Sequence, residues 1–140
     1  MRKIAFMKRV AWVAGIIEGE GCIVVSKRNR PLVKGRKYPV RQFRLAVEMT
    51  DLDVLIKLKE ILGQYATLRE RIPKNFNPNH RRRYILCLTG KELASWLMMI
   101  YPFMGERRKK RIRQGLIVWR RMRCTWRHKI PRYTPLRIVA

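Results

Sequence analysis

Acid is what this sequence has least of. Its 140 residues hold 9 Asp and Glu against 34 Lys and Arg, a formal net charge of +25. A compact chain of that charge repels itself unless a polyanion or counterions lie close by. The balance argues against a free-standing small-molecule enzyme and against a scaffold for acidic proteins. It makes nucleic acid the default partner, with an anionic membrane surface behind it. Cysteine is scarce too: Cys22, Cys87 and Cys124 are odd in number and far apart. Neither a disulfide framework nor a CxxC zinc pair can be read from them, and reduced, buried thiols in a cytosolic-type protein are expected. Long apolar runs are missing. The longest uncharged stretch, Leu93 to Gly105, has 13 residues, short of the roughly 18 needed to cross a bilayer. Basic Met1–Arg9 followed by apolar Val10–Ile17 imitates a secretory signal, but Glu18 and Glu20 come where a cleavage site needs small neutral residues. The expectation is an intracellular, non-secreted protein of cytoplasm, nucleoid or organelle matrix, without a membrane partner. Gly/Ser linkers, low-complexity tracts and close internal repeats are absent as well.

What is present is a core. Apolar residues make up 47% of the chain, and their periodicity divides it into elements. Residues 4–19 read as a helix with an apolar stripe at Ile4, Val10, Val13 and Ile17, closed by Gly19 and Gly21. Residues 22–30 alternate as a strand, and Pro31 to Lys37 form a basic loop. A second strand covers 40–49, where Phe43, Leu45 and Val47 alternate with Gln42, Arg44, Ala46 and Glu48. Thr50 is expected to cap a second helix, with Asp51 and Asp53 in its first turn, where the helix dipole favours anions. Leu52, Leu55, Ile56, Ile61 and Leu62 supply its apolar face, Leu58 fits it less well, and Gly63 ends it. A third strand at about 66–72 turns Leu68 and Ile72 inward. The Pro73–Asn79 turn leads to a fourth strand at 82–89, with Tyr84, Leu86 and Leu88 inward and Arg83, Ile85 and Cys87 outward. A helix from Lys91 to about Tyr101 stops at Pro102, and a long basic helix starts near Gly105. The class is α+β, in the order α-β-β-α-β-β-α-α.

The strands put their arginines on one side. Arg28 and Arg30, Arg44, Arg69 and Arg71, and Arg83 share the polar phase, with Ser26 and Gln42 beside them and Arg81 just ahead of the fourth strand. Glu48 and Glu70 are the only acids in these strands, and Glu70 lies on the core-side phase. Four antiparallel strands backed by helices would show duplex DNA one cationic, twisted face, from which Arg can read guanine N7 and O6. A merely solvated sheet face is normally mixed in sign, so binding is the preferred reading.

The first helix carries the most specific segment: Ala11-Trp12-Val13-Ala14-Gly15-Ile16-Ile17-Glu18-Gly19-Glu20-Gly21. Ala11, Gly15 and Gly19 fall at i, i+4 and i+8, a small-residue stripe that lets two helix backbones approach closely. Glu18 and Glu20 sit at the carboxyl end, where the helix dipole disfavours anions. If two copies pack through the glycine face, two Glu20 carboxylates meet beside two negative helix ends. A divalent cation would neutralise them, and oxygen ligands near phosphates suit Mg2+, which promotes phosphodiester hydrolysis. The competing reading is a solvated carboxylate at a helix end.

This segment resembles the signature helix of the LAGLIDADG homing endonucleases. Val13 to Gly21 falls on the nine-residue motif in register, with Ala14, Gly15 and Gly21 identical and Glu at both acidic positions. The element order is also that of the family, αββαββα, and the resemblance covers about residues 8 to 115. One motif copy occurs. The resemblance therefore implies a homodimer that cuts both strands of a pseudo-palindromic DNA site, promotes mobility of its intron or gene, and needs Mg2+ or another divalent cation but no small-molecule cofactor. It places Ala11, Ala14, Gly15, Glu18 and Gly19 at the dimer interface, with Glu18 structural. It makes Glu20 the metal ligand and catalytic acid, with the Gly19 carbonyl as a further ligand. Asp51, after the second strand, falls at the polar position that orders water. Arg107, after Pro102-Phe103, falls at the basic position that stabilises the transition state, with Lys109 close behind.

Residues 116–140 form a basic aromatic extension, packed on or continuing from an endonuclease-like domain of residues 1–115. From 107 to 140 there are 13 Lys and Arg and no acid, which suits phosphate contact, a solvated helix face or a localisation signal. Trp119, Trp126 and Tyr133 interleave with these arginines, either to stack on bases or to close the domain by packing. His80 and His128 have no partner spacing and receive no role. Two other functions stay open: a cleavage-inactive relative that regulates DNA or assists RNA splicing, and a ribosomal-type basic RNA binder. The second leaves Glu18-Gly19-Glu20-Gly21 unexplained.

Overall fold

The computed structural model describes residues 2–31, 37–75 and 77–129, and the side chains of these except 27–31, 37–41 and 123–129. Helix α1 (Arg2–Glu20) leads into strands β1 (Gly21–Pro31) and β2 (Lys37–Met49); then come α2 (Leu52–Leu62), β3 (Thr67–Arg71), β4 (Arg83–Thr89), α3 (Gly90–Ile100), a 3-10 turn (Tyr101–Phe103) and α4 (Glu106–Lys129). The four strands make one antiparallel sheet in the order β1-β2-β4-β3. Residues 32–36 of the expected basic loop lie outside the described residues, as do Tyr133 and the side chains of Trp126 and His128.

Strand alternation decides which side chains meet the helices. Ile23, Leu45 and Leu88 stand in one row across β1, β2 and β4, and Val47, Leu86 and Leu68 in another across β2, β4 and β3. Leu45, Val47 and Leu86 are fully buried. The helices cover this face with Val10, Val13 and Ile17 from α1, Leu55, Leu58 and Leu62 from α2, Leu93, Leu97 and Ile100 from α3, and Ile112 from α4. Each such Leu or Ile contributes about 1.5–3 kcal/mol by leaving water. Gly21 allows the sharp passage from α1 into β1, because a Cβ there would lie 2.6 Å from the Ile17 carbonyl oxygen. α4 runs without a break through residue 115, and Leu116, Trp119 and Met122 pack against the core.

Several expectations need correction. Cys22 is exposed and Cys87 half-buried, so neither is a buried thiol. Ile4 is 64% exposed, because no described residue covers the first two turns of α1. Leu58 is fully buried while Ile56 is 45% exposed, since Leu55, Leu58 and Leu62 are the true inner row of α2. The N-cap of α2 is Asp51 rather than Thr50, and no side chain closes that cap. Ile72 is not an inward strand residue: β3 ends at Arg71, Pro73 cannot donate to a ladder, and Ile72 is 75% exposed. Ile85 does belong to the outer phase but is only 7% exposed. It stands between Glu48 and Arg69 in register, and long polar side chains cover such a residue with their stems.

Candidate nucleic-acid interface and active site

The outer face of the sheet is built by register. Arg44 stands between Val24 and Thr89, Ala46 between Cys22 and Cys87, Glu48 opposite Ile85, Arg69 opposite Ile85, and Arg71 opposite Arg83; Ser26 pairs with Gln42. Arg28 and Arg30 pair with Val40 and Tyr38 further along the β1–β2 ribbon. Glu48 is the one acid on this face among the described residues, and it is heavily engaged: it accepts from Arg71 and lies 3.7 Å from Arg83. Glu70 holds the inner phase at the sheet edge, opposite Tyr84, and its carboxylate lies 3.7 Å from Arg82.

The fold brings Glu20 and Asp51 into one place. A cleft of about 900 Å³ opens between the end of α1 and the end of β2 on one side and the β3–β4 connection on the other. Glu20, Glu48 and Asp51 line its first wall; Lys74, Asn77, His80 and Arg81–Arg83 line its second. Glu20 is exposed at the last residue of α1, and its carboxylate makes no hydrogen bond or ion pair with a described residue. Asp51 is exposed and, as an N-cap without a side-chain bond, leaves its carboxylate free toward the cleft. The last carbonyls of a helix have no intrahelical partner. That of Glu18 is taken by Arg108 Nη2 at 3.1 Å, and that of Gly19 lies in the same last turn.

Glu18 points elsewhere. Its Oε2 accepts from the Gly105 amide at 3.3 Å, just ahead of α4, where the helix dipole favours an anion. Together with the Arg108 bond it ties the end of α1 to the start of α4. Arg107 is exposed but lines a separate hollow of about 430 Å³ with Cys22, Arg111 and Gln114. Lys109 is half-buried, with Nζ 3.4 Å from Glu106 and 5.6 Å from the Tyr101 ring centre. Neither basic residue lines the Glu20–Asp51 cleft.

The glycine stripe is bare. Ala11, Gly15 and Gly19 are all exposed, and a Cβ added at Gly15 or Gly19 would meet nothing within 4 Å. Ala14, by contrast, is 2% exposed and faces its own chain's core, so it is not available to a second chain. Among the described residues no group of three His, Cys, Asp or Glu side chains could hold a metal ion. Two carboxylates and a helix-end carbonyl are oxygen donors of the kind Mg2+ takes, but they are too few for a full shell.

Sequence reading missed the second wall. Lys74, Asn77, His80 and Arg82 reach the cleft because β3 and β4 pair, and no local pattern in 72–82 announces that. The run of three arginines at 81–83 beside a histidine was the one available signal.

No family sequence model matches the chain, and no curated protein matches it either. Solved structures do. The homing endonuclease I-CvuI, bound to an I-CreI target with magnesium and the DNA uncleaved, superposes with a TM-score of 0.62 at 24% identity, covering 81% of this chain and 68% of that one. The group I intron-encoded homing endonuclease I-CeuI, in complex with DNA, gives 0.67 at 14% identity over 87% of this chain and 58% of that one. The archaeal intron-encoded I-Vdi141I, also with DNA, gives 0.55 at 23% identity over 80% and 65%. The chain therefore has the LAGLIDADG homing-endonuclease fold, the one its motif helix resembles.

Proposed function

We propose that the chain is a site-specific double-strand DNA endonuclease that works as a homodimer with a divalent cation, reads a pseudo-palindromic site with the outer face of its sheet, and promotes mobility of its intron or gene. One observation carries this reading: the unpaired carboxylates of Glu20 and Asp51 share a cleft with a cationic wall, at the end of a helix whose glycine face is open. Two copies joined through Ala11, Gly15 and Gly19, beside Glu18, would bring two Glu20 carboxylates together and complete a donor set that one chain lacks. Glu20 and the Gly19 carbonyl would hold Mg2+, which when bound lowers the pKa of water and offsets charge on the leaving oxygen. Asp51 would orient water at the scissile phosphate. Arg107 and Lys109 would act from α4, outside the cleft, on the backbone beyond it. Ser26, Arg28, Arg30, Gln42, Arg44, Arg69, Arg71, Arg81 and Arg83 would meet bases and phosphates.

The test is cleavage of a randomised DNA library with Mg2+ and with EDTA, for the wild type and Glu20→Gln. Site-specific staggered cuts that vanish in EDTA and in Glu20→Gln are expected, while the variant still binds DNA. Specific binding without cuts in Mg2+ would replace this reading by that of a DNA-binding regulator or splicing cofactor. Cuts that survive Glu20→Gln would remove Glu20 from the site.

A further inference from the structure

The connection between β3 and β4 is long for a hairpin. It has eleven residues, 72–82, against the two to five that ordinary hairpin loops need. Its composition is one-sided: Lys74, His80, Arg81 and Arg82 occur with no acid at all. Every described residue in it is exposed. From Asn77 to His80 it is also shaped rather than slack. The Asn79 amide donates to Asn77 Oδ1 and the His80 amide to the Asn77 carbonyl, both at 3.0 Å, and Pro73 and Pro78 each fix a backbone angle. This segment supplies most of one wall of the cleft that Glu20 and Asp51 share.

Charge pairing decides which groups in that cleft are left for a ligand. Glu48 is taken by Arg71 and Arg83, and Glu70 by Arg82. What remains in the lining is Glu20 and Asp51, at the ends of α1 and β2, and Lys74, Arg81 and His80 of the connection. The side chains of these three make no hydrogen bond or ion pair with a described residue. Two carboxylates alone would repel a phosphodiester, whereas two cations across from them would draw it in. Arg107 and Lys109 do not line this cleft, so its free cationic charge comes from the connection.

We propose that residues 72–82 form a phosphate-binding arm: Lys74 and Arg81, with His80 between them in the fold of the turn, grip the duplex backbone across from Glu20 and Asp51 and seat it in the cleft. The inference rests on the nuclease reading and adds the element that holds the strand to be cut. The ligand is the sugar-phosphate backbone rather than a base edge, because ammonium and exposed guanidinium groups on an arm's rim take phosphate in any sequence. An already shaped arm also loses little conformational freedom when it binds.

The test compares the full chain with two double variants of equal charge change, Lys74→Ala/Arg81→Ala in the arm and Lys59→Ala/Lys91→Ala on the helical side. Each is measured for duplex affinity over a salt series on a selected target and on a random duplex, with a hydroxyl-radical footprint. Each phosphate contact contributes about 0.9 to the slope of log K against log salt. The arm variant should lower the slope by about 1.8 for each protomer engaged, equally on both duplexes, and lose protection next to the cut site. The helical-side variant should leave slope and footprint unchanged. His80→Ala in the wild-type background should thin the same protections. An arm variant with wild-type slope and footprint overturns the proposal, as does an equal loss in both variants, which would mean net charge alone. If the wild type binds no duplex at any salt, the nuclease reading fails with it; binding with an indifferent arm sinks the arm alone.

Discussion

On the face proposed to read DNA, Glu48 would set the balance between grip and discrimination. An acid on such a face would repel phosphate, yet Glu48 holds two arginines, Arg71 and Arg83, from neighbouring strands. A guanidinium held through Nη1 by a carboxylate loses rotamers and presents its remaining donors, Nη2 and Nε, in a fixed direction, which favours reading one base edge over gripping any phosphate. Glu48→Gln should therefore free both arginines for any phosphate. Affinity for random duplex should rise severalfold and the salt slope steepen by about 1 to 2, while discrimination between target and random DNA falls. Stability should change by less than about 1 kcal/mol, since partly exposed pairs are worth little. Fluorescence anisotropy with both duplexes measures this, and unchanged binding to random DNA would dismiss the buttress. At this scale the place of Glu18 and Glu20 was legible from sequence, because Gly19 and Gly21 announce the end of α1 there. The resemblance already implies a structural Glu18 beside a metal-binding Glu20; what no sequence pattern gives is the partner of Glu18, the Gly105 amide, which depends on where α4 begins.

Elements came through best where a pattern faces a single neighbour. β2 alternates Phe43, Leu45 and Val47 against polar residues, and the sheet buries that phase. α1 misled at Ile4 because periodicity tells which face is apolar and not how far the partner surface extends. The same geometry explains a glycine in the middle of α4. Gly115 costs helix stability, about 1 kcal/mol relative to alanine, yet a Cβ there would overlap the ring of Phe43. Phe43 is 4% exposed and has little room to withdraw. Gly115→Ala should thus destabilise the protein by roughly 1–3 kcal/mol through overpacking, despite its better helix propensity. Urea unfolding of the variant checks the sign: a gain in stability would mean that α4 does not sit this close to β2. The β3–β4 arm was illegible for a different reason, since its Pro-Asn turn chemistry reads as an ordinary loop until strand pairing sets it opposite Glu20.

For the whole molecule, the question is what covers α1. Two of the described glycines are sterically required, Gly21 by the Ile17 carbonyl and Gly115 by Phe43. Gly15 and Gly19 are not, because a side chain at either meets open space in the single chain. A glycine in a helix interior with no intrachain reason to be there weakens the helix for nothing, unless another backbone must come close. This separates folding from assembly in one substitution. Gly15→Leu should leave the fold intact or raise its thermal midpoint, as leucine is the better helix former by up to about 1 kcal/mol. It should also hold two α1 helices apart, so that sedimentation shows a monomer at concentrations where the wild type is a dimer. Double-strand cleavage should vanish with the dimer, since each chain supplies one Glu20, while weak duplex binding by the monomer persists through its charge. A dimer that survives Gly15→Leu would move the interface off this helix. It would then leave the bare stripe, and with it the pairing of the two Glu20 carboxylates, without a purpose.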